Sequence, residues 1–183
     1  MTLASIYFKI RFIIAQLRGK DTMPLILEKY RHYGVNIPND GGGIRAFSPL
    51  LSPGPYLITI GRNTTISTGV KFITHDNAII KSGEGFTDLV GPIIVGDNCF
   101  IGMNAILLPG VELANGIIVG AESVVAKSFH EDNIVIAGNP AKKICSSEYY
   151  YQKNRDKAFN FRGMSPIKKK ELINTNTAKL LHK

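Results

Sequence analysis

The sequence has no tryptophan and only two cysteines among its 183 residues. Cys99 and Cys145 make no disulfide framework, so the chain is not a small stapled secreted domain, and a reducing, cytoplasmic setting fits. Long apolar runs are missing too: none approaches the roughly 20 residues of a membrane-spanning helix. The apolar stretch near the N-terminus is broken by Lys9 and Arg11 and lacks a clean cleavage site, so it does not read as a signal peptide. Charge is sparse, at 20% of residues, and acidic charge is scarce at one end. Residues 1–141 carry 11 Lys/Arg against 11 Asp/Glu, whereas 142–183 carry 11 Lys/Arg against only Glu148, Asp156 and Glu171. The whole excess of +8 lies in that basic tail. A basic chain first suggests nucleic acid. The only dense run, however, is Lys168 to Lys170, and no nucleic-acid motif accompanies it, so no nucleic-acid partner is expected. With 44% apolar residues and little low-complexity sequence, the chain reads as one globular domain with terminal attachments.

What is present is a period. Ile60, Ile66 and Phe72 stand six residues apart, and after an interruption the spacing returns with Val95, Ile101, Leu107, Leu113, Val119 and Val125. The next position is small: Gly61, Ser67, Gly96, Gly102, Ala114, Gly120 and Ala126. A second small or β-branched position follows three residues later, at Thr64, Val70, Cys99, Ala105, Val111 and Ser123. Each unit then reads as a large aliphatic, a small residue, two free positions, a small inward residue and another free position. Six residues make a short strand and a corner, and three units make a triangular coil. Stacked coils lie about 4.8 Å apart, the ordinary inter-strand distance. This predicts a parallel β-solenoid, which needs at least about three repeats to bury a continuous core.

The stretches IGRNTTISTGVKFITHD and VGDNCFIGMNAILLPGVELANGIIVGAESVVAKSF, followed by IVIAGNPAKKI, carry a resemblance over roughly residues 58–145. The chain resembles the hexapeptide-repeat acyltransferases, and within them the maltose/galactoside and xenobiotic O-acetyltransferase branch. The resemblance implies an all-β, left-handed parallel β-helix that assembles as a homotrimer and takes an acetyl group from acetyl-CoA, with no metal required. It also implies that the pantetheine arm runs along the outside of the coils at Met103, Ala121 and Ala126, with Lys127 close by. Gly102 and Gly120 then leave room for the arm. Lys142 matches a basic position that addresses the nucleotide phosphates, with Lys143 beside it, and Cys145 stands where a further basic residue is common.

Around the repeats the chain divides into an N-terminal amphipathic helical segment (1–33), the solenoid (34–145) and a basic helical tail (146–183). In residues 2–18, Leu3, Ile6, Tyr7, Ile10, Ile13, Ile14 and Leu17 form a helical stripe with Lys9, Arg11 and Arg18 at its edges. That stripe either packs on the solenoid or a neighbouring subunit, or lies at a membrane interface, which would make the enzyme peripheral at the inner face of the membrane. Ile44, Leu50 and Tyr56 keep a six-residue interval out of register with Ile60 and read as an irregular first coil. From Phe72 to Val95 is 23 residues, and 78–92 lose the pattern, so this segment is a loop thrown out of the coil. Such insertions on a rigid scaffold are often functional.

His75, in Thr74-His75-Asp76, stands at the end of a coil just before that loop, and imidazole accepts a proton near neutral pH. By itself a lone histidine is more often structural, but the family's general base falls at this point of the pattern. Asp76 reads as a turn residue, because adjacent residues of extended chain point to opposite sides. His32, His130 and His182 lie outside suitable coils, which argues against a three-histidine zinc enzyme on the same scaffold. Neither cysteine lies near His75 in the repeat, so direct transfer without an acyl-enzyme is expected. The resulting reading is an O-acetyltransferase acting on a sugar hydroxyl, with a surface or capsular polysaccharide precursor as acceptor. The alternative acceptor is a small soluble one, a free sugar or a streptogramin-like antibiotic.

Overall fold

A computed structural model describes residues 3–50 and 52–181. Its strands are mostly two residues long. In chain order the first are β1 (Arg45–Ala46), β2 (Ile58–Ile60), β3 (Thr65–Ile66), β4 (Lys71–Phe72), β5 (His75–Asp76) and β6 (Leu89–Val90). They are followed by β7 (Ile93–Val95), β8 (Phe100–Ile101), β9 (Ile106–Leu107), β10 (Glu112–Leu113), β11 (Ile118–Val119) and β12 (Val124–Val125). The last pair is β13 (Ile134–Gly138) and β14 (Ala141–Ser146). Three parallel sheets form the body: β2-β7-β10, then β1-β3-β8-β11-β13, then β4-β9-β12. The chain visits these first, second and third faces in rotation, so each circuit lays a new strand beside the one before. Ile60 pairs with Val95, Ile66 with Ile101 and Phe72 with Leu107. The 35 residues separating each of these pairs are one circuit lengthened by the loop.

The predicted inward positions are inward. Ile60, Ile66, Val95, Ile101, Leu107, Leu113, Val119 and Val125 are buried, as are Thr64, Val70, Cys99, Ala105, Val111 and Ser123 one corner further on. Close stacking explains the small residue that follows most of these positions, Ile73 and Leu108 excepted: a Cβ on Gly102 would lie 2.6 Å from the Ala121 amide nitrogen in the next circuit. One of the two positions read as free is not free. The third residue after seven of the period's large residues, at Asn63, Gly69, Asn98, Asn104, Gly110, Gly116 and Glu122, has positive φ; His75 and Ser128, after Phe72 and Val125, do not. Only glycine and, at modest cost, asparagine enter that region readily. The corner therefore selects its residue by backbone conformation, a signal that hydrophobic periodicity does not carry.

Four helices flank the sheets: α1 (Leu3–Leu17) and α2 (Met23–His32) before them, α3 (Ser147–Asn154) and α4 (Pro166–Thr175) after them. The expectation of an all-β chain is too narrow; the fold is mixed α/β. The extra helix has a physical task, because the first coil is open at one end. α2 buries Leu27 and Tyr30 in the core cluster against Ile44, Ala46 and Leu50, and the Tyr30 hydroxyl donates to the Ser48 carbonyl. That first coil is formed by Asn36, bridged to Thr59, and by β1, paired with β3. Tyr56, expected within it, is 67% exposed. Thr2, the first residue of the expected N-terminal helix, and His182 lie outside the described residues. Among the described residues no helix is long and apolar enough to cross a membrane.

Candidate active site

Segment 78–92 leaves the third face as a hairpin. β5 pairs antiparallel with β6, His75 opposite Val90 and Asp76 opposite Leu89, and the Gly91 amide returns to the Thr74 carbonyl. A single helical turn, Ala78–Ser82, fills its outer end. His75 thus sits at the base of the hairpin, half-buried, on the wall of an open cleft of about 350 Å³. Pro53, Ile73, Asn77, Asp88 and Leu108 also line this cleft. A second cleft of about 330 Å³, between α2 and the turn at 39–45, contains neither a histidine nor a nucleophilic hydroxyl or thiol. The chemistry favours the first.

The imidazole is held from two sides. Its Nδ1 lies 2.9 Å from Thr74 Oγ1, and Thr74 Oγ1 lies 2.5 Å from Ser52 Oγ. Thr74 is fully buried. Beneath the ring is Gly54, where an added Cβ would come within 2.6 Å of His75 Cε1. Nε2 has no hydrogen-bond partner among the described residues. Asp76 does not pair with His75: its carboxylate accepts from the Ala78 amide at 2.9 Å, closing the turn into the hairpin. Ser52 and Gly54 carry no signal in the sequence, because they lie 23 and 21 residues before His75 in the irregular first coil. Only the folded first coil brings them under the ring.

The residues matched to the coenzyme are exposed and divide between two corners. Ala126 and Lys127 follow β12, at the same corner at which His75 follows β4. There the Leu108 amide donates to the Val125 carbonyl and the Ile73 amide to the Leu107 carbonyl, stacking three circuits. Met103 and Ala121 lie at the opposite edge of the third face, one circuit apart, joined by the Glu122 amide donating to the Met103 carbonyl. Lys127 reaches over the Phe129 ring, with Nζ 5.5 Å from its centroid. Lys142, exposed on β14, has no ion pair among the described residues, whereas Lys143 is bound to Glu131 at 2.6 Å. Gly102 and Gly120 are kept small by the circuit above them, Gly120 by the Ala137 Cβ at 2.9 Å. The His32 ring lies tilted against Phe8 between α1 and α2, and His130 is exposed. Cys99 points inward, and burial pushes its thiol up to about 11. No three His, Cys, Asp or Glu side chains cluster as a metal site among the described residues.

Comparison with known proteins places this geometry. The family described as hexapeptide repeat of succinyl-transferase matches residues 92–127. Protein CapG of Staphylococcus aureus is 41% identical over 128 residues, covering 69% of this chain and 74% of that protein. The chain belongs to the hexapeptide-repeat acetyltransferases. These are acetyl-CoA-dependent enzymes, and the chain is related to their maltose/galactoside O-acetyltransferase branch. A putative lipopolysaccharide biosynthesis O-acetyl transferase, WbbJ of Escherichia coli K12, is 32% identical over 61% of this chain and 65% of its own length. The crystal structure of a maltose O-acetyltransferase from Clostridium difficile 630 shares the fold, with a TM-score of 0.51, 22% identity, and coverage of 65% of this chain and 73% of that one.

Proposed function

We propose that this acetyl-CoA-dependent acetyltransferase O-acetylates a hydroxyl of a surface or capsular polysaccharide precursor, with His75 as general base. The observation that carries the reading is the His75 ring itself: Nδ1 is bonded to Thr74, Nε2 has no hydrogen-bond partner among the described residues, and the residue lines the cleft at the base of the hairpin. The relative named for lipopolysaccharide biosynthesis supports the acceptor class.

In the working tautomer Nδ1–H donates to Thr74 Oγ1, and the Thr74–Ser52 hydrogen bond backs that oxygen. Nε2 then has a lone pair for the acceptor's hydroxyl proton. As that proton moves, the sugar oxygen forms a bond to the thioester carbonyl carbon. A backbone N–H aimed at the resulting oxyanion is worth roughly 3 kcal/mol. The carbon–sulfur bond breaks, and Nε2–H returns its proton to the departing thiolate. The Nδ1–H bond is the same before and after, so the ring need not turn. Cys99 takes no part, being buried and protonated. The exposed outer edges at Met103, Ala121 and Ala126 fit an extended pantetheine arm, and Lys127 and Lys142 offer ammonium groups to phosphates. Lysine gives a point charge rather than arginine's fork. We assign residues 34–145 to the catalytic body, a left-handed β-helix that works as a homotrimer, with 1–33 and 146–183 as its attachments.

The test combines a variant with a screen. His75→Ala should lower turnover by about 10²–10⁴-fold while leaving acetyl-CoA binding by calorimetry unchanged. Retention of more than about a tenth of the activity would overturn the assignment. A mass-spectrometric screen of acetyl-CoA with lipid-linked sugars, free sugars and a streptogramin-type antibiotic identifies the acceptor. Equal kcat/KM for a soluble compound would put the small-acceptor reading in front.

A further inference from the structure

Helix α1 is apolar on two opposite faces, and the chain covers only one. Phe8 and Ala15 are buried against α2, and Arg11 is tied to Glu28 at 2.6 Å, which fixes the rotation of the helix. The opposite face carries Leu3, Ile6, Tyr7, Ile10, Ile13, Ile14 and Leu17, all exposed, from 36% at Ile6 to 87% at Leu3. At 100° per residue these seven side chains fall within an arc of about 120°, centred across the helix from the packed face. They are the stripe that the sequence presents, and it points away from the protein.

We propose that this face of α1 lies on an anionic lipid surface, as an interfacial helix about 22 Å long. The occupant follows from the borders. Lys9 flanks the stripe on one side and Arg18 on the other, and α1 contains no acidic residue. Residues 1–33 hold six Lys/Arg against Asp21 and Glu28, and Glu28 is occupied by Arg11. A second copy of the stripe would bring cations against cations along both borders. Anionic headgroups meet those cations, while the acyl boundary accepts the seven apolar side chains. The helix is too short to span, so it binds in the plane of the surface. This inference is independent of which acceptor the enzyme uses.

The chain has no tryptophan, so Ile10→Trp supplies a single fluorescent reporter on the stripe. In the full-length protein, vesicles of phosphatidylglycerol and phosphatidylcholine should shift its emission to the blue and carry the protein upward on flotation. Phosphatidylcholine alone should do neither. Binding should fall steeply as salt shortens the screening length from about 8 Å toward 3 Å. The double variant Ile10→Glu/Ile14→Glu should bind at least about tenfold more weakly, with oligomer size by light scattering and turnover on a soluble acceptor unchanged. Two results would overturn the proposal: wild-type protein that stays at the bottom of the gradient at low salt, or a double variant that falls apart into smaller species. The second would make the stripe a contact between subunits.

Discussion

His75 has one nitrogen bonded and one free, and the bonded one decides what the free one can do. Removing the buried Thr74 hydroxyl while keeping its shape, in Thr74→Val, leaves Nδ1–H of the half-buried His75 unpaired. An unpaired buried donor costs about 1–3 kcal/mol, and the ring recovers part of it by moving its proton to Nε2, where it is no longer a base. Turnover should therefore fall about 10- to 100-fold with the KM for acetyl-CoA unchanged. Thr74→Ser should restore most of it. Nitrogen NMR of the His75 ring gives a readout that loss of packing alone would not move: the protonated nitrogen should switch from Nδ1 to Nε2 in the valine variant. An unchanged tautomer would remove Thr74 from the mechanism. Cys99 makes a separate prediction. Its thiol is held up to about 11 by burial, so the folded chain keeps a proton that the unfolded chain releases near pH 8.5–9. Above that pH the unfolded state binds fewer protons, and stability falls as pH rises. Wild-type protein should lose on the order of 2 kcal/mol between about pH 9 and 11. In Cys99→Ala the thiol's share of this slope should vanish, leaving the loss from Tyr30, whose hydroxyl is also held up by burial, and denaturant melts at several pH values can check this.

At the scale of the element, the short strand and its corner obey different rules, and this decides what the sequence could reveal. Burial sets the aliphatic and the small inward residue, so Ile60 to Val125 and Thr64 to Ser123 were legible as a six-residue period. His75 carries no periodic signal of its own; the family resemblance singles it out, at the end of a coil just before the loop. The left-handed corner was not legible, because asparagine and glycine there answer to φ rather than to hydropathy. Neither was α2 as a cap, whose apolar residues lack a partner until the first coil exists. Nor were Ser52 and Gly54, which meet His75 only through that coil. Glu122 is the exception that tests the corner rule. It holds φ 58° where its neighbour Asn104 has φ 58° as an asparagine, and its carboxylate accepts from Asn104 Nδ2 at 2.7 Å. An asparagine accepts the same bond with less backbone strain, so Glu122→Asn should stabilise the fold by about 0.5–1 kcal/mol. A lower melting temperature in that variant would show that the side-chain bond outweighs the backbone.

At the scale of the whole molecule, the proposed site does not close within one chain. His75, Ala126 and Lys127 occupy one corner, while Met103 and Ala121 occupy the far edge of the third face. Four residues, including the corner at Glu122 and strand β12, lie between Ala121 and Ala126, a span of at most about 17 Å. In the proposed homotrimer, a donor held at one chain's Met103 and Ala121 would meet a histidine supplied by its neighbour; Ile94, Phe100 and Met103 are exposed in the single chain. The proposed trimer makes this testable by mixing. His75→Ala lacks the base, and Ala121→Trp fills the far corner, so each variant alone should be inactive. If each site takes its base from one subunit and its Ala121 corner from the next, random mixed trimers contain intact pairs at about a quarter of their sites. Refolding the two variants together at equal concentration should thus restore about a quarter of wild-type turnover, and light scattering should show a trimer throughout. Restoration also separates this arrangement from a self-contained chain, in which every protomer carries one lesion at its own site and mixing recovers nothing. A mixture that stays inactive while trimers form would return the donor to the corner beside His75, alongside Ala126 and Lys127 of the same chain.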